Sequence, residues 1–258
     1  MTTDRPLGSL AAGVRLAARS LLRNGTFTWA AILALALGIG AGTAVFSVVD
    51  RILFRSLPYP HAERLVSFGM TAPIAPEEFM LGYDYFDWRD AGGPFESVGS
   101  WAAGVRDCDL NDAQPQRLRC ARVDSTLLRT LEIHPVVGRD FTRDEERPNA
   151  PKTAILSYGL WQSRFGGDPG AVGKPIRLDG QSVTVAGVLP RDFELPSLET
   201  ADILVPQVLD DPEQRSRRQA ILLYSVGRLR PGVEPARAEM ELRPLFDKSL
   251  EAVPASFR

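Results

Sequence analysis

No charged residue occurs between Asn24 and Val49, and most of that stretch is apolar (FTWAAILALALGIGAGTAVFSVV). A helix over Phe27–Val49 rises 1.5 Å per residue and reaches about 34 Å, enough to cross a hydrocarbon core of about 30 Å. A cleaved signal peptide has a shorter apolar region, typically about 7–15 residues, and a small-residue cleavage site that is not evident here. A buried core helix seldom runs this long without one charge. The stretch reads as a transmembrane helix over 24–50.

The flanking charge sets its direction. Residues 1–49 carry a net +3, from Arg5, Arg15, Arg19 and Arg23 against Asp4, whereas the remainder of the chain carries −5. The positive-inside rule then places the N-terminus in the cytoplasm and residues 50–258 outside it, with Arg51 and Arg55 opposing weakly. Arg15, Arg19 and Arg23 share one helical face, and Leu10, Val14, Leu21 and Leu22 fall mostly opposite. Residues 1–23 are therefore expected to form an amphipathic helix along the cytoplasmic membrane surface. Within the span, Ala30, Ala34, Gly38 and Gly42 recur every four residues, and Ala36, Gly40 and Ala44 form a second small stripe. Small residues at this spacing let another helix approach closely, and packing is the main force for helix association in lipid. The alternative is a monomeric anchor whose composition happens to be rich in Ala and Gly.

The rest of the chain reads as one exported globular region of α+β type. Strands are expected near Leu65–Met70, over Ser97–Val105 and over Leu118–Val123, with helical character at Tyr83–Asp90. A short helix capped by Asp124 or Ser125 and ending at Leu131 leads to a strand at Ile133–Val137. Thr153–Leu156 reads as a strand, and Ser157 as the cap of a helix stopped by Gly166-Gly167. Pro175–Leu178 and Ser182–Leu189 flank Asp179-Gly180, a dipeptide favoured in type I′ hairpin turns. A strand over Ala220–Leu229 precedes a last helix from Pro235, where a first-turn proline is tolerated and Pro244 is expected to kink the axis.

Composition narrows the function classes. Hydrophobic residues make up 44% and charged ones 24%, which excludes a disordered chain. Net charge is −2, so no global basic field points to nucleic acid. Two cysteines and two histidines leave little material for a metal centre. The run GGDPGAVGKP spaces its glycines wrongly for a phosphate loop and has Pro175 where that loop needs Ser or Thr. Asp107, Asp109 and Asn111 begin like a calcium loop, but Asp112 and Leu118 stand where Gly and Glu are required. Asp84, Asp87 and Asp90 fall on one helical face and read as a solvated acidic surface. Trp88, Trp101 and Trp161 read as packing residues. No catalytic, cofactor-binding or metal-binding residue is identified.

Several strings carry a family resemblance. LRNGTFTWAAILALALGIGAGTAVFSVVDRILFRSLPYPHAERLV resembles the opening of MacB/FtsX-type ABC transporter permeases, in particular the duplicated orphan permeases of acidobacteria. VDSTLLRTLEIHPVVGRDFT, AILSYGLWQSRFGGDPGAVGKPIRLDG and VTVAGVLPRDF resemble successive blocks of the MacB-like periplasmic core domain, in family order. The resemblance implies a periplasmic core domain over 51–258. Residues 51–145 and 215–252 would form an α+β subdomain, with a β-rich inserted subdomain at 150–212. It further implies a bacterial inner-membrane location and a noncatalytic role in export, efflux or mechanotransmission. The implied partners are the transmembrane helices of a permease or of a second copy, and a separate cytoplasmic ABC ATPase. In the family three further spans follow the domain. No second hydrophobic run follows Glu251, so the chain is expected to be the front portion of a permease. A single-pass sensor or ligand-binding module is the alternative reading.

Cys108 and Cys120 lie twelve apart around the turn-like stretch Asn111–Gln116. A hairpin centred at position 114 would set them directly opposite and permit a disulfide on the oxidising side of the membrane. A register shifted by one residue would leave two thiols.

Overall fold

The computed structural model describes residues 25–49, 58–72, 75–81, 85–86, 88–89, 92–112, 114–208 and 222–252. The expected N-terminal amphipathic helix, Asp84, Asp87, Asp90, Arg51 and Arg55 lie outside these residues. The chain divides into two compact units, with the boundary between Ser56 and Leu57.

The first unit contains helix α1, Gly25–Val49. Trp29, Leu33, Leu37 and Phe46 are all more than half exposed along it. A 19-residue window, Thr28–Phe46, is long and apolar enough to cross a membrane.

Among its described residues the second unit has twelve strands. In chain order they are β1 Leu65–Ser67, β2 Met70–Ala72, β3 Ala75–Leu81, β4 Phe95–Ala102, β5 Arg106–Leu110, β6 Gln116–Val123, β7 Val137–Gly138, β8 Thr153–Leu156, β9 Pro175–Leu178, β10 Gln181–Val188, β11 Ile203–Pro206 and β12 Leu222–Leu229. Among the described residues they are accompanied by α2 Leu127–Thr130, α3 Tyr158–Phe165 and α4 Pro235–Ala252.

Hydrogen bonding runs β11-β8-β10-β9-β5-β6, and β6 pairs back onto β11, so six strands close into a ring. The joins that close it are the parallel pairing of Ile203–Pro206 with Cys120–Val123 and a single antiparallel pair, Leu110 with Leu178. Strand alternation fixes which side chains point inward. In β5 and the first five residues of β6 the buried positions are Cys108, Leu110, Leu118 and Cys120, and in β9 they are Ile176 and Leu178. These join Leu156, Val185 and Ile203 in one core that fills the ring, with Leu160 and Trp161 of α3 packed onto it. A ring of this size has room only for side chains.

The far half of β6 leaves the ring and pairs with β4 at Trp101–Val123; β4 then pairs along its length with β12. A second core of aromatic character lies beyond, where Phe68 stacks on Phe95 at 4.7 Å and Trp88 meets Phe246 of α4 edge-on at 4.1 Å. Between the two cores α2 presses onto β4. A Cβ at Gly99 would sit 2.6 Å from the Cα of Leu127, so only glycine allows that approach. Tyr85, Phe86, Trp88 and Arg89 are helical, within the stretch expected to be so.

Local signals behave as their chemistry requires. Ser157 Oγ accepts the Leu160 N–H and caps α3, and Gly166 ends it in the left-handed region at φ 63°. Asp179 and Gly180, at φ 49° and 75°, make the tight turn between β9 and β10. The strand expected at Ile133–Val137 is reduced to Val137–Gly138, which pairs with the end of β10. The reason is that Ile133 N–H turns back to the Leu128 carbonyl, extending the cap of α2 instead of entering a ladder. The expected strand at Leu65–Met70 is two short strands, because Phe68 and Gly69 leave the ladder between them.

Candidate functional site

Three places carry features beyond packing: the stripe on α1, the polar groups buried in the domain, and the open end of the ring.

On α1, Ala30, Ala34, Gly38 and Gly42 are all exposed. A Cβ at Gly38, Gly40 or Gly42 would meet no atom within 4 Å outside the helix's own backbone. The stripe therefore has an open surface along it.

In the domain, Arg228 is 1% exposed and lies among backbone carbonyls. Its Nε donates to Thr130 at 2.8 Å, Nη1 to His61 at 3.2 Å and Nη2 to Pro60 at 3.0 Å, and Nη1 lies 3.4 Å from Glu132. One side chain thus ties the entry segment of the domain, the end of α2 and β12 together. Nearby, burial and then the charge of Glu146 push the Asp124 carboxyl up to about 8. Tyr85 donates to Oδ2 of Asp124, while Thr126 Oγ1 lies 2.8 Å from that oxygen and 2.7 Å from the Val98 carbonyl. A protonated Asp124 fits this arrangement, because Thr126 can accept from it and donate onward to Val98. Glu146 itself is fully buried and is met by Arg89 at 3.2 Å. Networks of this kind leave little freedom for alternative packings, and removing Arg89 would strand the buried Glu146 charge.

Cys108 and Cys120 form a disulfide, with Cα atoms 5.9 Å apart. They are not directly opposite, as a hairpin centred at 114 would make them. The ladder pairs Cys108 with Leu118 and Arg106 with Cys120, so the hairpin is centred one position earlier. The two sulfurs meet on a diagonal, both on the inward face, where strand twist shortens one of the two diagonals. Leu110 facing Gln116 is the last pair of the ladder, so the five residues 111–115 form the connection.

The register also fixes what collects at one end of the ring. The start of β5, β8 and β10 and the end of β6, β9 and β11 all lie at that end. The inward positions there are Arg106, two before Cys108; Arg122, two after Cys120; and Gln207, two after the partly buried Val205. They border a cleft of about 810 Å³ that also takes in Arg147, Lys152 and Asp179. Sequence reading missed this group, because its members lie up to about a hundred residues apart and only the ring closure aligns them. Glu145 lies on the same wall. Burial acts to raise its carboxyl, but hydrogen bonds from Arg139, at 2.8 and 3.0 Å, and from the Thr142 N–H outweigh that and hold it at about 2. Among the described residues no group of three His, Cys, Asp or Glu side chains is arranged to hold a metal ion.

The family model described as the MacB-like periplasmic core domain matches residues 28–245. The chain belongs to that family. The match takes in most of α1 as well as the globular unit, so the apolar helix and the domain together form the family unit. Among solved structures, the periplasmic region of MacB from Actinobacillus actinomycetemcomitans aligns over 73% of this chain and 84% of its own, at 12% identity and a TM-score of 0.52. The extracellular domain of the noncanonic ABC-type transporter YknZ from Gram-positive bacteria covers 72% and 92% at 17% identity and a TM-score of 0.49. A domain of a Porphyromonas gingivalis permease protein covers 74% and 84% at 19% identity, again with a TM-score of 0.49. The MacB region supports the fold alone at that identity. No curated protein matches the sequence. The fold is thus a mixed α/β one of the MacB periplasmic type, preceded by one apolar helix.

Proposed function

We propose that the protein is a noncatalytic, membrane-anchored permease component of an ABC-type export or mechanotransmission system. In this reading residues 1–23 lie at the cytoplasmic surface, α1 crosses the inner membrane, and the domain works in the periplasm. The stripe Ala30, Ala34, Gly38 and Gly42 packs against other helices of a permease or against a second copy. A separate cytoplasmic ATPase supplies the energy. The observation that carries this reading is the joining, within one family match, of a charge-free helix with an open small-residue face to a MacB-type domain.

The division into an α+β part (51–145 with 215–252) and an inserted part (150–212) belongs to the same proposal. The aromatic core over β3, β4, β12 and α4 supports the first. The ring supports a second lobe, although β5 and β6 reach across from the first segment to complete it.

Topology and company test the proposal together. A reporter active only outside the cytoplasm is expected to be active when fused after Arg258 and silent when fused near Asn24. Gentle extraction from membranes is expected to bring an ATPase or permease helices with the protein. The reversed reporter pattern would overturn the orientation. ATP hydrolysis by the purified chain, abolished by one of its own point substitutions, would overturn the noncatalytic role.

A further inference from the structure

We propose that the mouth of the six-stranded ring is a binding site for a compact multivalent anion, of the kind presented by pyrophosphate or a tricarboxylate. The proposal does not depend on transport or on any ATPase. Arg106 faces Cys120 across the β5–β6 ladder, and Arg122 follows Cys120 by two residues, so both project from the inward face onto the same opening. Across a strand pair such diagonal neighbours are within reach of one shared ligand, especially with side chains as long as arginine.

The charge balance of the cleft is unequal. Among the described residues, Arg106, Arg122, Arg147 and Lys152 border it against Glu145 and Asp179. Glu145 is already matched by Arg139, and Arg147 by Asp144 at 3.2 Å. Lys152 donates to Gln181. Arg106 and Arg122 have neither an acidic partner nor a hydrogen bond among the described residues. Among the described residues, two forks of guanidinium donors are thus without a partner above a floor of Leu178, Val183 and Val205. Such a floor matters physically. An apolar wall beside a concave cationic rim focuses the field into the opening and strengthens charge-assisted hydrogen bonds there. A volume of about 810 Å³ accommodates a small ligand, and the mouths of β-barrels are a recurrent place for such sites.

Asp179 sets the specificity. Its Oδ1 is held by the Asp109 N–H at 2.8 Å, so the carboxylate stays at the rim and disfavours ligands that would spread toward the β9–β10 turn. A compact anion, engaged by both guanidinium forks, fits better than an extended one.

The test uses the full chain in a neutral detergent, titrated calorimetrically at low salt with pyrophosphate and, separately, with citrate. Saturable binding of at least one probe is expected. Arg106→Gln and Arg122→Gln should each weaken it about tenfold. Arg117→Gln should leave it unchanged, because Arg117 is on the same hairpin but pairs with Asp107 outside the mouth. Preference between the probes tells phosphate from carboxylate chemistry. Absence of saturable binding with both overturns the proposal, and so does an equal loss in Arg117→Gln, which would mean a diffuse basic surface. Should the glutamine variants not fold, the wild-type chain decides the matter. The bound probe is expected to protect Arg106 and Arg122 from phenylglyoxal, and modification undiminished by either probe at saturating millimolar concentration overturns the site.

Discussion

The two units use the same residue types in opposite ways. In α1, Leu33, Leu35 and Leu37 are 58%, 63% and 66% exposed, while in the domain Leu110, Leu156 and Leu204 are completely buried. Burial against protein stabilises the domain, at roughly 25 cal/mol for each Å² of apolar surface removed from water. In lipid that term is absent between helices, so shape has to supply specificity, through small residues. The contrast extends to polar groups. The helix excludes every charge, whereas the domain buries Arg228, Asp124 and Glu146. One unit is defined by what it leaves out, and the other by the ionisable groups it encloses.

The sharpest way to break that contrast is to remove an enclosed charge. Arg228→Ala removes the donor to the Thr130, His61 and Pro60 carbonyls and takes one partner from Glu132, which keeps His61, and is expected to cost about 3–5 kcal/mol in chemical denaturation of the domain. A domain that tolerates it with under 1 kcal/mol lost, on the order of a surface change, would show that the network is incidental. Next comes the leucine comparison. Leu156→Ala should destabilise the domain by about 2–5 kcal/mol. Leu35→Ala, the same chemical change on α1, should leave the domain's unfolding midpoint where it was.

Removal of the disulfide by Cys108→Ala with Cys120→Ala should cost up to about 3 kcal/mol, the chain-entropy limit for so short a loop. Intact mass before and after alkylation without reductant checks the bond itself, and two alkylated thiols in exported protein would refute it. On the helix, Gly38→Leu or Gly42→Leu should weaken association with neighbouring helices by about 1–2 kcal/mol while insertion is retained. Unchanged crosslinking in both variants would reduce the stripe to composition.

The smallest effect per step is the dependence on pH. Asp124, with its carboxyl raised to about 8 in the fold, binds its proton more tightly there than in the unfolded chain, where the ordinary value is near 4. Its contribution is therefore fully present below pH 4 and is lost as pH rises toward 8. The domain should lose on the order of 1 kcal/mol per pH unit across that window from this group. Asp124→Asn should flatten the profile, and an unchanged slope would remove Asp124 from the account.

Legibility in the sequence followed distance along the chain. Features set by a few adjacent residues could be read: the charge-free span, the Ser157 cap, the Gly166 stop, the Asp179-Gly180 turn and the first-turn Pro235. The short strand β11 and the five residues of β5 were harder, since Arg-Asp-Cys-Asp-Leu carries too little apolar weight to announce a strand by itself. Where Asp124 was read as a helix cap, the structure gives it a buried role, because Tyr85 and Glu146 come to it from other elements. The mouth of the ring was invisible for the same reason. Its residues acquire a common position only through pairings that no local pattern encodes. The hairpin register missed by one position because the turn residues 111–115 admit more than one loop length.

The parallel join of β11 to β6 has a kinetic side. Cys120 finds its hydrogen-bonded partner Ile203 eighty-three residues later, whereas its hairpin neighbours are at hand at once. A chain emerging vectorially can fold and oxidise the β5–β6 hairpin early, but the far edge of β6 has to wait for β11 to arrive. Long-range pairings of this sort slow folding, and a waiting strand edge is open to strand addition by other chains. During biogenesis the vulnerable species is thus a half-built ring with one live edge, and the time it spends in that state is governed by how fast the last third of the domain is delivered.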